Sequence, residues 1–454
     1  MTSAIKLARR PTPGELRRRI LQLAGPIMLA SLSQTLMSLI DIAMVGRLGA
    51  AAVAAVGLGG MFTFAISAFL TSIQAGAQTV ISRRVGEELP RQVSETVRTA
   101  FRFSLLAGTL IGLLTYSVAQ RLFPLISDDS AVISMGSAYL EWRSLSLGIV
   151  MASSVLYALY NGISRPGIHL VVSLLANSLN VVLNYGLIFG HWGLAAMGAP
   201  GAGLATTLSS LVALGLYAGF SRLADIKRNY PGLWRGPGNW KALARVIEIS
   251  VPAAWQNFGV MIGFVLFMVI MGRVSTMALA ATEIVFNILS FSFMPAMGFL
   301  YATQTLVSES LGRKDPDTAA NAAKSATVQC MLLMGSMGIL FMSVPRIILR
   351  LFTPEVELIE MAVSPLVVLG MVQFVDAIGM VHLGALRGAS DNRYPAIVDL
   401  LLMWLFFLPV TYVTALHYQY GIMGGWIALA IYLAAFAALT RHRFLTGPWR
   451  TIKI

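Results

Sequence analysis

Three carboxylates interrupt otherwise apolar stretches of this 454-residue sequence: Asp41, Asp376 and Glu283. An ionisable side chain inside a membrane span costs about 2.5 to 3.5 kcal/mol on insertion scales, so such a group marks a proton or cation site by default. Asp41 has polar company. Ser31, Gln34, Ser38 and Asp41 are spaced by three, four and three residues, which puts them on one face of a helix otherwise built of Leu, Ile, Met and Ala. Ser173, Asn177, Asn180 and Asn184, spaced by four, three and four, form a second stripe further on. If the two stripes face each other they line a wet cavity in which a carboxylate can take up and release protons. The alternative is that small and amide side chains simply hold neighbouring helices together.

Asp376 follows Gln373 by three residues and precedes Gly384, Arg387 and Gly388. Pairing with a polar residue on a neighbouring helix is its structural alternative. Glu283 stands near the start of its apolar run, where an interfacial role competes with a coupling role. Asp399, close to Arg393, reads as a surface ion pair. No enzyme constellation appears: the five histidines show no metal-ligand spacing, and no phosphate-binding loop with a lysine or aspartate-rich motif is present. With a single cysteine, Cys330, disulfide scaffolds and thiolate metal sites are excluded. No metal or cofactor is expected. The many methionines and the aromatics Trp255, Phe258, Phe264, Phe267, Phe286, Phe291 and Phe293 could form an adaptable apolar pocket.

The elements that must position these groups are spanning helices. The chain is 57% hydrophobic and 12% charged, with a mean hydropathy of +0.74, against about 25% charged in a soluble protein. Twelve runs long enough to cross a bilayer centre near residues 33, 68, 109, 150, 179, 211, 258, 293, 334, 373, 406 and 430. The net charge of +13 sits between these runs, which points to topology and lipid headgroups rather than to nucleic acid. Assigned to alternate sides, 27 of the 33 Lys and Arg fall on one side and 6 on the other, which predicts cytoplasmic termini. Arg9 and Arg10 lack the rest of a twin-arginine signal, and the apolar run that begins at Ile20 is too long for a signal peptide.

The sequence also repeats itself at an offset of 226 residues. Pro26 pairs with Pro252, Gly46-Arg47 with Gly272-Arg273, Gln78-Thr79 with Gln304-Thr305, Ser82 with Ser308, Gly86 with Gly312 and Gly162 with Gly388. An offset of six helices makes the halves parallel, an arrangement found in transporters. The expected domains are a basic N-terminus (1–19), a six-helix bundle (20–222), a linker (223–244), a second six-helix bundle (245–440) and a C-terminal segment (441–454). At the same offset Asp41 corresponds to Phe267, Asp376 to Val150 and Glu283 to Gly57, so the acids are additions to the scaffold.

The segments PIMLASLSQTLMSLIDIAMVGRLG and FVDAIGMVHLGALRGASDNRYP, with the repeat, resemble the multidrug and toxic compound extrusion (MATE) transporters over about residues 20–440. The resemblance implies an all-α membrane protein of two six-helix bundles, with a cleft open alternately to each side. It also implies export of organic, often cationic, compounds driven by a proton or sodium gradient. Carried over, Asp41 would be the coupling acid of the first bundle with Asn180 and Asn184 beside it, and Asp376 the acid of the second. Some members carry an acid at the position of Asn184, and those with the second acid usually have Glu eight residues after the helix-7 proline, where Val260 stands here. Losing that carboxylate weakens a sodium site, so proton exchange through Asp41 is preferred, with sodium through Asp376 as the runner-up.

Gln34, Ser38, Asn177, Asn180 and Asn184 are the expected cavity residues, and Glu283 could substitute geometrically for the missing Glu. A lipid-linked-precursor flippase would need a cationic cavity, and an intramembrane transferase would need clustered acids or a His pair. The expected setting is the inner membrane, as a monomer, with small organic molecules and lipids as partners.

Overall fold

The structure, a computed structural model, describes residues 11–452, so Arg9 and Arg10 lie outside the described residues. The described residues form helices and no strand. In chain order the α-helices are α1 Pro13–Gly46, α2 Ala50–Thr71, α3 Ile73–Gly86, α4 Pro90–Leu122, α5 Ser130–Ser144, α6 Leu147–Gly162, α7 Gly167–Phe189, α8 Ala199–Phe220 and α9 Ala224–Asn229. There follow α10 Trp240–Val274, α11 Thr276–Gly312, α12 Pro316–Ser343, α13 Pro345–Arg350, α14 Val356–Gly388, α15 Arg393–Leu401, α16 Leu408–Tyr412 and α17 Gly421–Thr446. Eleven stretches among them are long and apolar enough to cross a membrane, and α5 with α6, bent by 43°, makes a twelfth. This matches the twelve apolar runs in the sequence.

Local signals start and stop these helices. Proline, whose missing N–H is harmless in a first turn, opens α4, α12 and α13. Asp129 caps α5 by accepting from Ala131 N at 2.8 Å, and Ser275 caps α11 by accepting from Ala278 N at 2.9 Å. The repeat is visible in the backbone. Glu88 and Lys314, 226 residues apart, both adopt positive φ (58° and 59°), and so do Ser164 and Ser390 (59° and 68°). Left-handed backbone is uncommon for residues other than glycine, so its recurrence at one offset shows two halves built on a common pattern.

The chain divides into two compact units: Leu29–Ala254, here the amino unit, and residues up to Met28 with Trp255 onward, here the carboxy unit. The boundaries fall inside α1 and α10, two residues past Pro26 and Pro252, and again differ by 226. In the carboxy unit, Leu16, Ile20, Leu23 and Ala24 of α1 are buried in a cluster with Ala296, Phe299, Leu300 and Leu306 of α11. Gly298 permits that approach, since a Cβ there would lie 2.6 Å from Met28 Cγ and 3.0 Å from the Ala24 carbonyl oxygen. A second cluster is built around Phe267, Phe407 and Trp426. These aromatics of α10 thus pack as core: the rings of Phe267 and Phe407 are 5.2 Å apart and those of Phe264 and Phe286 are 5.1 Å apart. Trp255 by contrast is 55% exposed.

Candidate functional site

Within the amino unit α1, α6, α7 and α8 surround a cavity of about 400 Å³. Its wall mixes polar and apolar side chains: Gln34 and Met37 come from α1, Val150, Ser153 and Ser154 from α6, His169, Val172, Ser173, Asn177 and Asn180 from α7, and Thr206, Ser209 and Tyr217 from α8. The four-and-three spacing on α7 is what aims its residues inward together. Two cross-helix hydrogen bonds tie α7 to α1. Asn177 Nδ2 donates to Ser33 Oγ at 2.9 Å, and Asn184 Nδ2 donates to Asp41 Oδ1 at 2.5 Å. Asn184 Nδ2 also donates to Asn180 Oδ1 at 3.0 Å, so the carboxylate and both amides form one chain.

The Asn180 amide can be satisfied in two orientations. In one its nitrogen donates to Thr206 Oγ1 at 3.3 Å; in the other it donates to Asp41 Oδ1 at 3.0 Å while its oxygen accepts from Thr206 N at 3.3 Å. A charged carboxylate favours the second, because it is an acceptor only, whereas a neutral one can itself donate. The Arg143 guanidinium is the cationic group that acts on Asp41. Asp41, Asn184 and Ser38 are not among the residues that line the cavity; Asp41 and Asn184 join it through Asn180.

Sequence reasoning missed the opposite end of this wall. His169 Nδ1 is hydrogen-bonded to Tyr217 Oη, and Tyr160 Oη donates to the Tyr217 carbonyl at 2.5 Å. The rings of Tyr157 and His169 lie 4.0 Å apart. The four-residue step from His169 to Ser173 extends the α7 stripe by one turn and was the available signal. Ser31 and Ser38 do not reach across to α7. The Ser31 carbonyl accepts from Thr35 Oγ1 at 3.2 Å, and Ser38 Oγ donates to the Gln34 carbonyl at 3.1 Å, the local bonding usual for such side chains in a helix.

In the carboxy unit the polar groups are buried together. Asp399 is 6% exposed, so it is no surface ion pair. It accepts from Gln256 Nε2 at 2.7 Å and from Tyr432 Oη at 2.5 Å, and Arg387 Nη2 donates to Gln256 Oε1 at 3.0 Å. Those partners lie 143 and 33 residues from Asp399, which is why its proximity to Arg393 in sequence misled. Asp376 is buried, and the charge of Asp399 acts on it. Gln373, one turn earlier, donates to Ser292 Oγ at 2.9 Å. Glu283 is exposed on α11, where its backbone carbonyl accepts from Asn287 Nδ2 at 3.0 Å, and it does not join Asp376. Among the described residues no group of three or more His, Cys, Asp or Glu could hold a metal ion.

The twofold occurrence of this scaffold is matched by a known family. The MatE family profile covers residues 26–186 and again 252–413, one match in each half. The chain belongs to the MatE family. It is 28% identical over 440 residues to a protein of Thermotoga maritima named probable multidrug resistance protein NorM, covering 96% of this chain and 93% of that one. A Brucella suis protein of the same name is 29% identical, covering 95% and 92%. A crystal structure of MATE in complex with MaD3S superimposes with a TM-score of 0.87 at 19% identity, covering 96% of this chain and 97% of that one. MatE membership and these apolar helices make the chain a multi-pass membrane protein with up to twelve spans, the family profile matching once in each half.

Proposed function

We propose that this MatE protein is a secondary efflux antiporter that exports small organic, often cationic, compounds in exchange for protons. The reading rests on one observation: the carboxylate of Asp41, on a spanning helix, is held by Asn184 at 2.5 Å, and Asn184 in turn bonds Asn180, which lines a cavity. Protonation of Asp41 removes an anion that the two amides serve, frees Asn180 to turn toward Thr206, and alters the wall against which a substrate rests. Loss of that proton on the other side of the membrane resets the wall. A cation and a proton then compete for the same carboxylate, which is the minimum requirement of exchange. No Lys or Arg lines the cavity, which disfavours a flippase for pyrophosphate-linked lipids. The names of the relatives support the export of drug-like compounds.

The asymmetry of 27 Lys and Arg against 6 supports cytoplasmic termini in an inner-membrane protein. Because both halves of the repeat lie in one chain, a monomer suffices. The test is efflux of a fluorescent cation from liposomes with pH and sodium gradients imposed separately. Asp41→Asn is expected to abolish pH-driven exchange, and full activity in that variant would sink the proposal. A sodium-coupled alternative through the carboxy unit has its own support in the burial of Asp376 beside Asp399 among oxygen-bearing side chains. Dependence on sodium that vanishes in Asp376→Asn, with Asp41→Asn intact, would establish it instead.

A further inference from the structure

The 226-residue offset relates three charged positions near the end of α3 to three near the end of α11: Arg245, Arg83 and Glu87 correspond to Arg19, Glu309 and Arg313. In the carboxy unit the central residue is the acid. The Glu309 side chain is 4% exposed and lies between two cations, accepting from Arg19 Nη2 at 2.6 Å and from Arg313 Nη2. A buried carboxylate held by two guanidinium groups is fully compensated.

In the amino unit the same place holds a guanidinium. Arg83 is 6% exposed, and its Nε and Nη2 are buried without a hydrogen-bond partner among the described residues. The charges that act on it are Glu87, Arg84 and Arg245. Glu87 is the one acid among them, and its carboxylate accepts from Arg84 Nη1 at 2.6 Å. Arg245, on α10, is held beside α3 because Gly76 N donates to Ser250 Oγ at 3.2 Å and Ser250 Oγ donates to the Ile73 carbonyl at 3.2 Å. The Arg245 side chain is 31% exposed; its Nη1 donates to Glu248 Oε2 at 2.7 Å, and the guanidinium can be approached from outside the unit.

Where the carboxy unit buries Glu309 between two arginines, the amino unit buries Arg83, and the acids beside it are bonded to Arg84 and Arg245. A buried cation with unused donors is costly until something accepts from it. We propose that Arg83 and Arg245 form a binding site for a phosphate group, which supplies the negative charge that Glu309 supplies in the other half. Phosphate suits the pair because its oxygens accept from guanidinium forks on two sides at once, and a basic pocket between spanning helices is a recurrent place for anionic headgroups. The ligand is a phosphomonoester or phosphodiester, carried by a lipid headgroup or free in solution. Arg83 turns toward Arg245 to meet it.

The test uses the full chain in nanodiscs of phosphatidylcholine, with thermal unfolding and native mass spectrometry as readouts. Phosphatidylglycerol is titrated into the bilayer in one arm and inorganic phosphate into the buffer in another. The expected result is stabilisation and a retained anionic ligand in the wild type, with affinity about tenfold lower in Arg83→Gln and in Arg245→Gln. Response to phosphatidylglycerol alone identifies a lipid headgroup; response to both identifies the phosphate itself. Should Arg83→Gln fail to fold, Arg83→Glu restores the acid of the other half beside Arg245 and is expected to be stable with no ligand and indifferent to either. Equal responses in the wild type and the Arg83 variants, or no response in the wild type, overturn the proposal.

Discussion

One backbone position, used twice, separates the two units. In the carboxy unit it is Phe267, 0% exposed, its ring against those of Phe407 and Trp426. In the amino unit it is Asp41, held by an asparagine beside a cavity of about 400 Å³. The carboxy unit satisfies the Asp399 carboxylate with Gln256 and Tyr432 and packs aromatic rings around Phe267. The amino unit instead ties the amides of α7 to Ser33, Asp41 and Thr206 along one side of that cavity. At this position one copy of the repeat carries a packed ring and the other an acid beside a cavity.

The comparison can be broken by exchanging its terms. The largest effect is expected for Asp41→Asn, which leaves the amide neighbours with no group that can change charge: pH-driven efflux in liposomes should vanish while the melting temperature is unchanged or rises. Next, Phe267→Ala is expected to cost about 3 to 5 kcal/mol, since the neighbouring rings cannot close the hole. Thermal unfolding in detergent measures it, and efflux per folded molecule should survive. A smaller loss, about 1.5 to 3 kcal/mol, is expected for Tyr432→Phe, which removes a hydrogen bond to a buried carboxylate. If that variant abolished pH-driven exchange while Asp41→Asn did not, the roles assigned to the two units would be reversed.

The smallest effect lies outside the spans. Asp225 on α9 pairs with Arg165, both side chains being about half exposed (47% and 42%), and the hydrogen bond from Arg165 holds the Asp225 carboxyl below its ordinary value of 3.8. A depressed pKa in the folded state gives stability that is present above about pH 3.8 and lost as pH falls through the folded value. Asp225→Asn should therefore melt slightly lower than the wild type at pH 7, and the difference should close on acidification. Solvent and salt screen such a pair, so the shift should be near the limit of detection.

Much of this contrast was legible before any coordinates. Hydropathy located the spans because a bilayer forces each to be long and continuous, and the offset of 226 exposed the duplication. Helical spacing placed Asn180 and Asn184 on one face, and their meeting with Asp41 needed only that two polar stripes avoid lipid. Asp399 was misread because its partners come from α10 and α17, and nothing local to residue 399 announces them. The link between His169 and Tyr217, 48 residues apart, was hidden for the same reason. The charge inversion at Arg83 and Glu309 was present in the aligned halves, but its meaning needed the burial of both.

The division of the chain inside α1 and α10 has a consequence for how the protein is made. Residues 29–254 are contiguous, so the amino unit has all its parts once the ribosome has passed Ala254. Leu16, Ile20, Leu23 and Ala24 are synthesised first but are buried against Ala296 to Leu306, which emerge some 270 or more residues later. The start of α1 must therefore stay without its partners through most of translation, exposed to chaperones and to other nascent helices. Cutting the gene within the linker would not separate two self-sufficient halves, for the later fragment would lack the stretch of α1 that completes its core.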